Sequence, residues 1–236
     1  MSTSESPGAS SHLPPPADLS RLPTTPGFGP AAGRSIPLVH ASRLGRAIDL
    51  VIATAVLVLT APILAVAALA VVLESRGGAL YRQGRVGLRG HEFEVIKLRT
   101  MVQGAEHLGA GLAVDVGDAR ITRVGSFLRR TSIDELPNLV NVLRGEMAIV
   151  GPRPTVASQV VDYSGRQLGR LAVRPGITGL AQVSGRASLP WADRIEIDLH
   201  YIATRSPRAD LRILLRTALT VFGGGGLYRG ETGGWR

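Results

Sequence analysis

Between Leu50 and Leu73 the chain runs for 24 residues without a charged side chain. As a helix this stretch would extend about 36 Å, longer than the roughly 30 Å hydrocarbon core of a bilayer. Such a segment must be covered by protein or by lipid, and the default expectation is a transmembrane anchor. Two features point to another path. Pro62 falls in the middle, where it removes a backbone hydrogen bond and kinks a helix. Both flanks are basic, with Arg43 and Arg46 before the run and Arg76, Arg82, Arg85 and Arg89 after it. The preference of basic flanks for the cytoplasmic side is then met when both ends stay there. The residues alone leave a span and a re-entrant hairpin, broken at Ala61–Pro62, equally open.

The remaining composition bounds the chemistry. A chain of 236 residues with 44% hydrophobic content has room for one core-bearing domain with tails. Residues 1–42 hold eight of the 15 prolines, and their charges cancel, Arg21 and Arg34 against Glu5 and Asp18. That tail is expected to be disordered, and it lacks the charged start and apolar core of a secretory signal. With no cysteine, disulfides and thiolate metal sites are excluded. The net charge of +9 comes from 26 arginines and the single Lys97, all of the excess lying after the tail. Such a balance calls for a polyanionic partner: nucleic acid, anionic lipid or a phosphorylated substrate. Nucleic acid is the poorest fit, because the basic residues sit among acids and glycines with no recognition helix or aromatic stacking platform.

The densest chemistry lies in S-I-D-E-L-P-N-L-V-N-V-L-R-G-E-M-A-I-V-G-P-R-P, residues 132–154. Pro137 is tolerated only in a first helical turn, so a helix is expected to begin with Asp134 near its N-cap and Glu135 just inside. A capping box of Ser132 and Glu135 is the other register. Leu136, Leu139, Val140 and Leu143 then form one apolar stripe, and Gly145 supplies the stop. In either register Asp134 meets the positive end of the helix, which favours an ionised carboxylate. One acid in a first turn is usually a cap. Here, however, Arg129 and Arg130 precede the pair, and Arg153 follows between two prolines that stiffen its backbone. Two acids framed by arginines suit a metal-bound phosphate ester.

Elsewhere, Phe93 and Val95 alternate with Glu92 and Glu94, and Gly87 to Gly90 offers a turn, which predicts a β-hairpin within residues 79–101. By spacing alone, Lys97 and Arg99 would be a solvated strand face. His107 reads as a surface residue, since no second histidine stands at metal-binding spacing. A helix is expected from Pro154 to about Gly169, followed by a glycine-punctuated loop over 174–186. Trp191, Ile195, Leu199 and Ile202 form a helical stripe. In the next helix, after Pro207, Arg208, Arg212 and Arg216 mark a basic face with Leu211, Leu214, Leu215 and Phe222 chiefly opposite. That face could be solvated or lie on a lipid surface. The glycine run 223–226 is expected to end the fold.

The D-E-L-P-N-L-x-N-V-L-R-G-E-M-x-I-V-G-P-R-P block closely resembles the signature of the bacterial sugar transferase family, the monotopic polyprenyl-phosphate phosphoglycosyl transferases. Three further blocks resemble that family in the same order: R-Q-G-R-V-G from Arg82 to Gly87 with K-x-R-T-M, D-x-R-I-T-x-V-G-x-x-L-R from Asp118 to Arg129, and R-P-G-x-T-G-x-A-Q-V-x-G-R from Arg174 to Arg186. The likeness covers roughly Arg43 to Tyr228. It implies a helix that dips into one leaflet and breaks at Pro62, although Ala61 stands where the family commonly has serine. Serine likewise stands at 184 where asparagine is more usual. It further implies that Asp134 attacks the sugar-bearing phosphorus of a UDP-sugar, releases UMP, and then yields the phosphosugar to a polyprenyl phosphate such as undecaprenyl phosphate. Mg²⁺ would span the diphosphate with Asp134 or Glu135 as ligand. Glu135 would assist with the metal or a proton, Lys97, Arg129 and Arg153 would contact phosphate, and Arg186 would serve the nucleotide sugar.

The expected fold class is therefore α+β and mostly helical: a tail (1–42), a membrane-inserted helix (43–76), a compact catalytic domain on the cytoplasmic face of the bacterial inner membrane (77–228) and a flexible end (229–236). A homo-oligomer is compatible with this reading. The competing reading is a catalytically silent scaffold for polysaccharide assembly.

Overall fold

The computed structural model describes residues 42–108, 117–185 and 189–222. The proline-rich tail, the glycines at 109 and 111, Arg186, the glycine run 223–226 and the C-terminal end lie outside the described residues.

Helix α1 runs from Arg43 to Glu74, and the hydroxyl of its N-cap, Ser42, accepts a hydrogen bond from the Gly45 amide at 3.0 Å. The expected break at Ala61–Pro62 is not there: the helix continues with Pro62 inside it. One missing amide is a local loss that flanking turns can carry, and the Thr60 hydroxyl adds a bond back to the Val56 carbonyl at 2.7 Å. Around Pro62 the helix is bare, with Val58, Leu59, Ile63 and Val66 between 50% and 77% exposed. Leu44 and Leu73 near its ends are equally exposed, at 71% and 77%, but polar side chains tie both ends down. Near the start, the Arg46 guanidinium donates to the carbonyls of Val142 and Met147, and the Asp49 carboxylate accepts the Ile149 amide at 3.1 Å. At the far end, the Glu74 carboxylate accepts the amides of Arg123 and Val124 at 2.8 and 2.9 Å, capping the next helix. Arg99 there donates to Ser75 Oγ, Ser75 O and Gly78 O at 2.7, 2.9 and 2.7 Å. One and the same domain thus grips both ends of the apolar helix.

Strands β1 (Leu80–Val86) and β2 (Glu92–Leu98) form the predicted antiparallel hairpin, in register Tyr81 opposite Lys97 and Arg85 opposite Phe93. The turn requires left-handed backbone at Arg89 (φ 57°) and Gly90 (φ 82°). Helix α2 (Arg123–Thr131) lies so close to the segment after β2 that a Cβ on Gly125 would stand 2.0 Å from the Thr100 carbonyl oxygen. Next come α3 (Leu139–Arg144), β3 (Ala148–Val150), a single helical turn α4 (Ala157–Val160), β4 (Gly176–Thr178) and α5 (Leu180–Ser184). The chain closes with α6 (Trp191–Thr204) and α7 (Pro207–Phe222).

Three expectations change here. The stretch after Pro154 holds only α4 and a 3₁₀ segment, Gln167–Ala172, rather than one helix. The supposed glycine loop contains β4, which pairs in parallel with β3 (Ala148 with Gly176, Val150 with Thr178), and then α5. Gly176 permits that pairing, since its Cβ would fall 2.1 Å from the Gly151 amide nitrogen. In α7 the buried face is Ile213 with Leu214 against it, while Leu211, Leu215 and Leu219 are 57–74% exposed on the same open side as Arg208, Arg212 and Arg216.

The main core joins Ala53 of α1 to Val95, Leu139, Val142, Met147, Ile149, Val150, Tyr201, Ile202 and Ile213. A second cluster packs Ala67 and Val71 of α1 on Leu98 and Leu128. Burying side chains of this size contributes roughly 1.5–3 kcal/mol each, which is what orders the short elements around the acidic segment.

Candidate active site

Helix α2 ends at Ser132, which takes left-handed backbone (φ 58°) and turns the chain sharply. The acidic pair follows in a 3₁₀ turn, Ile133–Asn138, and not in the first turn of an α-helix, which begins only at Leu139. Ser132 makes no side-chain cap, so the capping-box register is also absent; its carbonyl accepts the Glu135 amide at 3.2 Å instead. Tertiary bonds decide this geometry. The Ile96 amide in β2 donates to both Asn138 Oδ1 and Asn141 Oδ1, at 3.1 and 3.2 Å, and the Asn141 amide returns a bond to the Glu94 carbonyl. The stripe shifts accordingly: Leu139, Asn141 and Val142 are buried, and Leu143 is exposed. Gly145 ends α3 with φ 86°, as the sequence predicts.

Locking the Ile96 amide to α3 sets the next residue, Lys97, against the acids. Its ammonium lies 2.8 Å from Glu135 Oε1, and Arg153 Nη2 reaches the same oxygen at 3.0 Å. Burial pushes the Glu135 carboxyl up, but Arg153 and Lys97 outweigh it and hold the group well below the usual carboxylate range. Burial lowers the Lys97 ammonium, a shift that Glu135 opposes and Arg153 reinforces. Asp134 stands in the opposite condition. It is 7% exposed, and its Oδ1 is buried without a hydrogen-bond partner. Burial, then the charge of Glu135, push its carboxyl up to about 6, against the pull of Lys97, Arg129 and Arg153. Arg129 stands at the end of α2 with its Nε on Thr100 Oγ1 at 2.8 Å.

The structure therefore brings Lys97, Arg129, Asp134, Glu135 and Arg153 into one cluster, while Arg186 lies outside the described residues. Sequence reading missed three contributors. Asn138 and Asn141 position the cluster, and their signal was polar residues three apart inside an apolar stripe. Arg85 is the third: it lies on the hairpin face shared with Lys97, its Nη1 is 3.4 Å from the Pro154 carbonyl, and burial with neighbouring Arg153 lowers it to about 10. One firmly ionised acid, one poised acid and four cations make a cluster short of negative charge. Such a site suits an anion that can be attacked by a carboxylate.

Residues 40–224 match the family model described as bacterial sugar transferase. A UDP-glucose:undecaprenyl-phosphate glucose-1-phosphate transferase of Caulobacter vibrioides is 45% identical over 211 residues, covering 86% of this chain and 78% of that protein. The UDP-galactose-lipid carrier transferase of Erwinia amylovora is 38% identical over 80% of this chain, which spans 43% of its length. The exopolysaccharide production protein ExoY of Sinorhizobium fredii is 36% identical, with 73% of this chain and 82% of that one aligned. Several relatives are longer, and the chain spans less than half of them. The match along most of the chain and the relatives on either side of it lead to one conclusion: the chain belongs to the bacterial sugar transferase family.

Proposed function

We propose that the chain is a polyprenyl-phosphate sugar phosphotransferase, moving a sugar-1-phosphate from a UDP-sugar to undecaprenyl phosphate or a similar carrier and so opening exopolysaccharide or glycoconjugate synthesis. The observation that carries this reading is the unequal state of two adjacent acids. Glu135 is spent on two cations, whereas Asp134 is buried, poised near neutral pH and has an oxygen without a donor. A structural acid would be satisfied as Glu135 is; an attacking one must keep a lone pair open.

In the first step an Asp134 oxygen forms a bond to the phosphorus bearing the sugar, and the bond from that phosphorus to the UMP oxygen breaks, the electron pair leaving with UMP. In the second, an oxygen of the polyprenyl phosphate attacks the same phosphorus and the aspartate departs as a carboxylate. Lys97, Arg129 and Arg153 offset the diphosphate charge that would otherwise repel the nucleophile. Glu135 keeps Lys97 and Arg153 aimed, and Arg186 serves the nucleotide sugar by its place in the matching block.

Mg²⁺ fits these residues. It keeps several waters and takes one or two carboxylates plus substrate phosphates, and a buried carboxylate oxygen without a donor is such a ligand. Asp134 and Glu135 would hold it together with the diphosphate; among the described residues no group of three or more His, Cys, Asp or Glu comes together. When bound, the ion supplies charge neutralisation at the diphosphate and the departing UMP.

Helix α1 is the described helix long and apolar enough to cross a membrane by length and composition. We read it as inserted in one leaflet with both of its ends on the cytoplasmic face, because one domain holds both ends while the apolar side chains between them stand exposed. The leucines and arginines on the open side of α7 support contact with the same lipid surface. A polyprenyl phosphate keeps its head group at that depth.

The test is purified protein in nanodiscs with undecaprenyl phosphate and a panel of UDP-sugars, UDP-glucose and UDP-galactose first. UMP release that needs Mg²⁺ and stops with EDTA is expected. Release of UDP, or turnover that resists EDTA, would contradict the reading.

A further inference from the structure

Arg153 sits in G-P-R-P, where the residues on either side lack an amide hydrogen. The segment is accordingly fixed through its carbonyls. Pro152 O accepts the Gly176 amide at 2.9 Å, Thr155 O accepts the Val86 amide at 2.8 Å, and Pro154 O lies 3.4 Å from Arg85 Nη1. The carbonyl of Arg153 itself is taken by Arg170 Nη2 at 3.1 Å.

Arg170 is no surface residue making a chance contact. It is 4% exposed, its Nε and Nη2 lie 2.9 and 2.7 Å from Asp198 Oδ2, and Asp198 is 2% exposed. Its Nη1 donates to the Tyr163 hydroxyl, and its guanidinium stacks 5.1 Å from the centre of the Trp191 ring. Burying an ion pair gains little stability over an apolar pair of the same volume, so retention of this one calls for a geometric reason. A planar guanidinium gives that reason, because its rigid fork addresses an acid, a hydroxyl and a carbonyl from three nitrogens at fixed angles, whereas an ammonium donates from a single point.

We propose that Arg170, braced by Asp198 and Trp191 of α6, is a positioning residue for the transfer reaction: it fixes the backbone of Arg153 so that the Arg153 guanidinium reaches Glu135 in the active-site cluster. The proposal rests on the function given above for its kinetic consequence, though not for its structural one. Release of the Arg153 carbonyl lets the loop relax and moves a phosphate-binding cation away from Glu135 and Lys97. A displacement of about 1 Å costs up to 10²-fold in rate.

The chain offers its own reporter, because Lys97 is its single lysine. Protein carrying ε-¹³C lysine gives one side-chain resonance, from an ammonium 2.8 Å from the Glu135 oxygen that Arg153 also reaches. Two variants are compared with wild type in nanodiscs: Arg170→Lys, which keeps the charge, and the double variant Arg170→Met/Asp198→Leu, which removes both charges and leaves no uncompensated ion. In each folded variant, at one fixed pH, that resonance is expected to shift, because Arg153 no longer shares the Glu135 oxygen. The kcat for sugar phosphate transfer is expected to fall 10- to 100-fold, with a smaller change in KM. A folded variant with the wild-type Lys97 resonance overturns the proposal whatever its activity. A shifted resonance in variants of a protein whose wild type transfers no sugar phosphate upholds the brace and refutes the function. If the double variant does not fold, Arg170→Lys decides.

Discussion

Replacing Asp134 with asparagine should make the protein more stable while it abolishes turnover. The side chain is 7% exposed, and its carboxyl is raised from 3.8 to about 6, chiefly by burial and then by Glu135. A carboxyl that holds its proton more tightly in the folded state favours folding below its unfolded pKa and loses that contribution as pH rises through the folded one. At pH 7.5 the wild type therefore carries an ionised, poorly solvated Asp134 at a cost of about 3 kcal/mol, a shift of about two units at roughly 1.4 kcal/mol each. Asparagine has nearly the same shape and no charge to bury. For a chain of this size the melting temperature should rise by about 6–12 °C at pH 7.5, and the gain should shrink toward zero near pH 4. The assay is thermal unfolding by tryptophan fluorescence in nanodiscs with EDTA, at half-unit pH steps. A variant no more stable than wild type at pH 7.5, or equally stabilised at pH 4, would refute the claim that Asp134 is an acid held against its solvation.

Other consequences follow from the same geometry. Since the attacking carboxylate must be ionised, kcat/KM should climb with an acid limb centred near pH 6, and a limb near pH 4 would mean that Asp134 is solvated in the working enzyme. Gly125→Ala places a methyl 2.0 Å from the Thr100 carbonyl oxygen, so a loss of about 1–3 kcal/mol in denaturant unfolding is expected as α2 is pushed off the segment that follows β2. The chain has no cysteine, which makes single cysteines at Arg43 and Arg76 clean reporters of topology. In inverted membrane vesicles a membrane-impermeant maleimide should label both, and labelling of only one would establish a span.

Much of this architecture was legible in the residues. The hairpin declared itself through alternation on either side of Gly87–Gly90, and α6 through a stripe of which Ile195, Leu199 and Ile202 are buried. The acids, Lys97 and Arg153 were legible as family blocks, though not as neighbours: Lys97 and Glu135 are 38 residues apart, and only the pairing of the Ile96 amide with two asparagines brings them together. Local propensity placed Asp134 at a helix start; those tertiary bonds placed it in a 3₁₀ turn. Strands of three residues such as β3 and β4 are too short to show a period. The inner face of α7 was misassigned because exposed leucines and core leucines look alike in sequence. Nothing along the chain links Arg170 to Asp198, 28 residues on, or either of them to Arg153.

Everything chemical here turns on whether Asp134 carries the phosphosugar. Wild-type protein and Asp134→Asn should be incubated with Mg²⁺ and a UDP-sugar labelled in the sugar-bearing phosphate, without lipid acceptor, and the quenched protein analysed by peptide mapping. Label on the peptide containing Asp134 in wild type, discharged on adding undecaprenyl phosphate and missing from the variant, is the predicted result. Transfer to lipid by Asp134→Asn at the wild-type rate, or label on another residue, would contradict it.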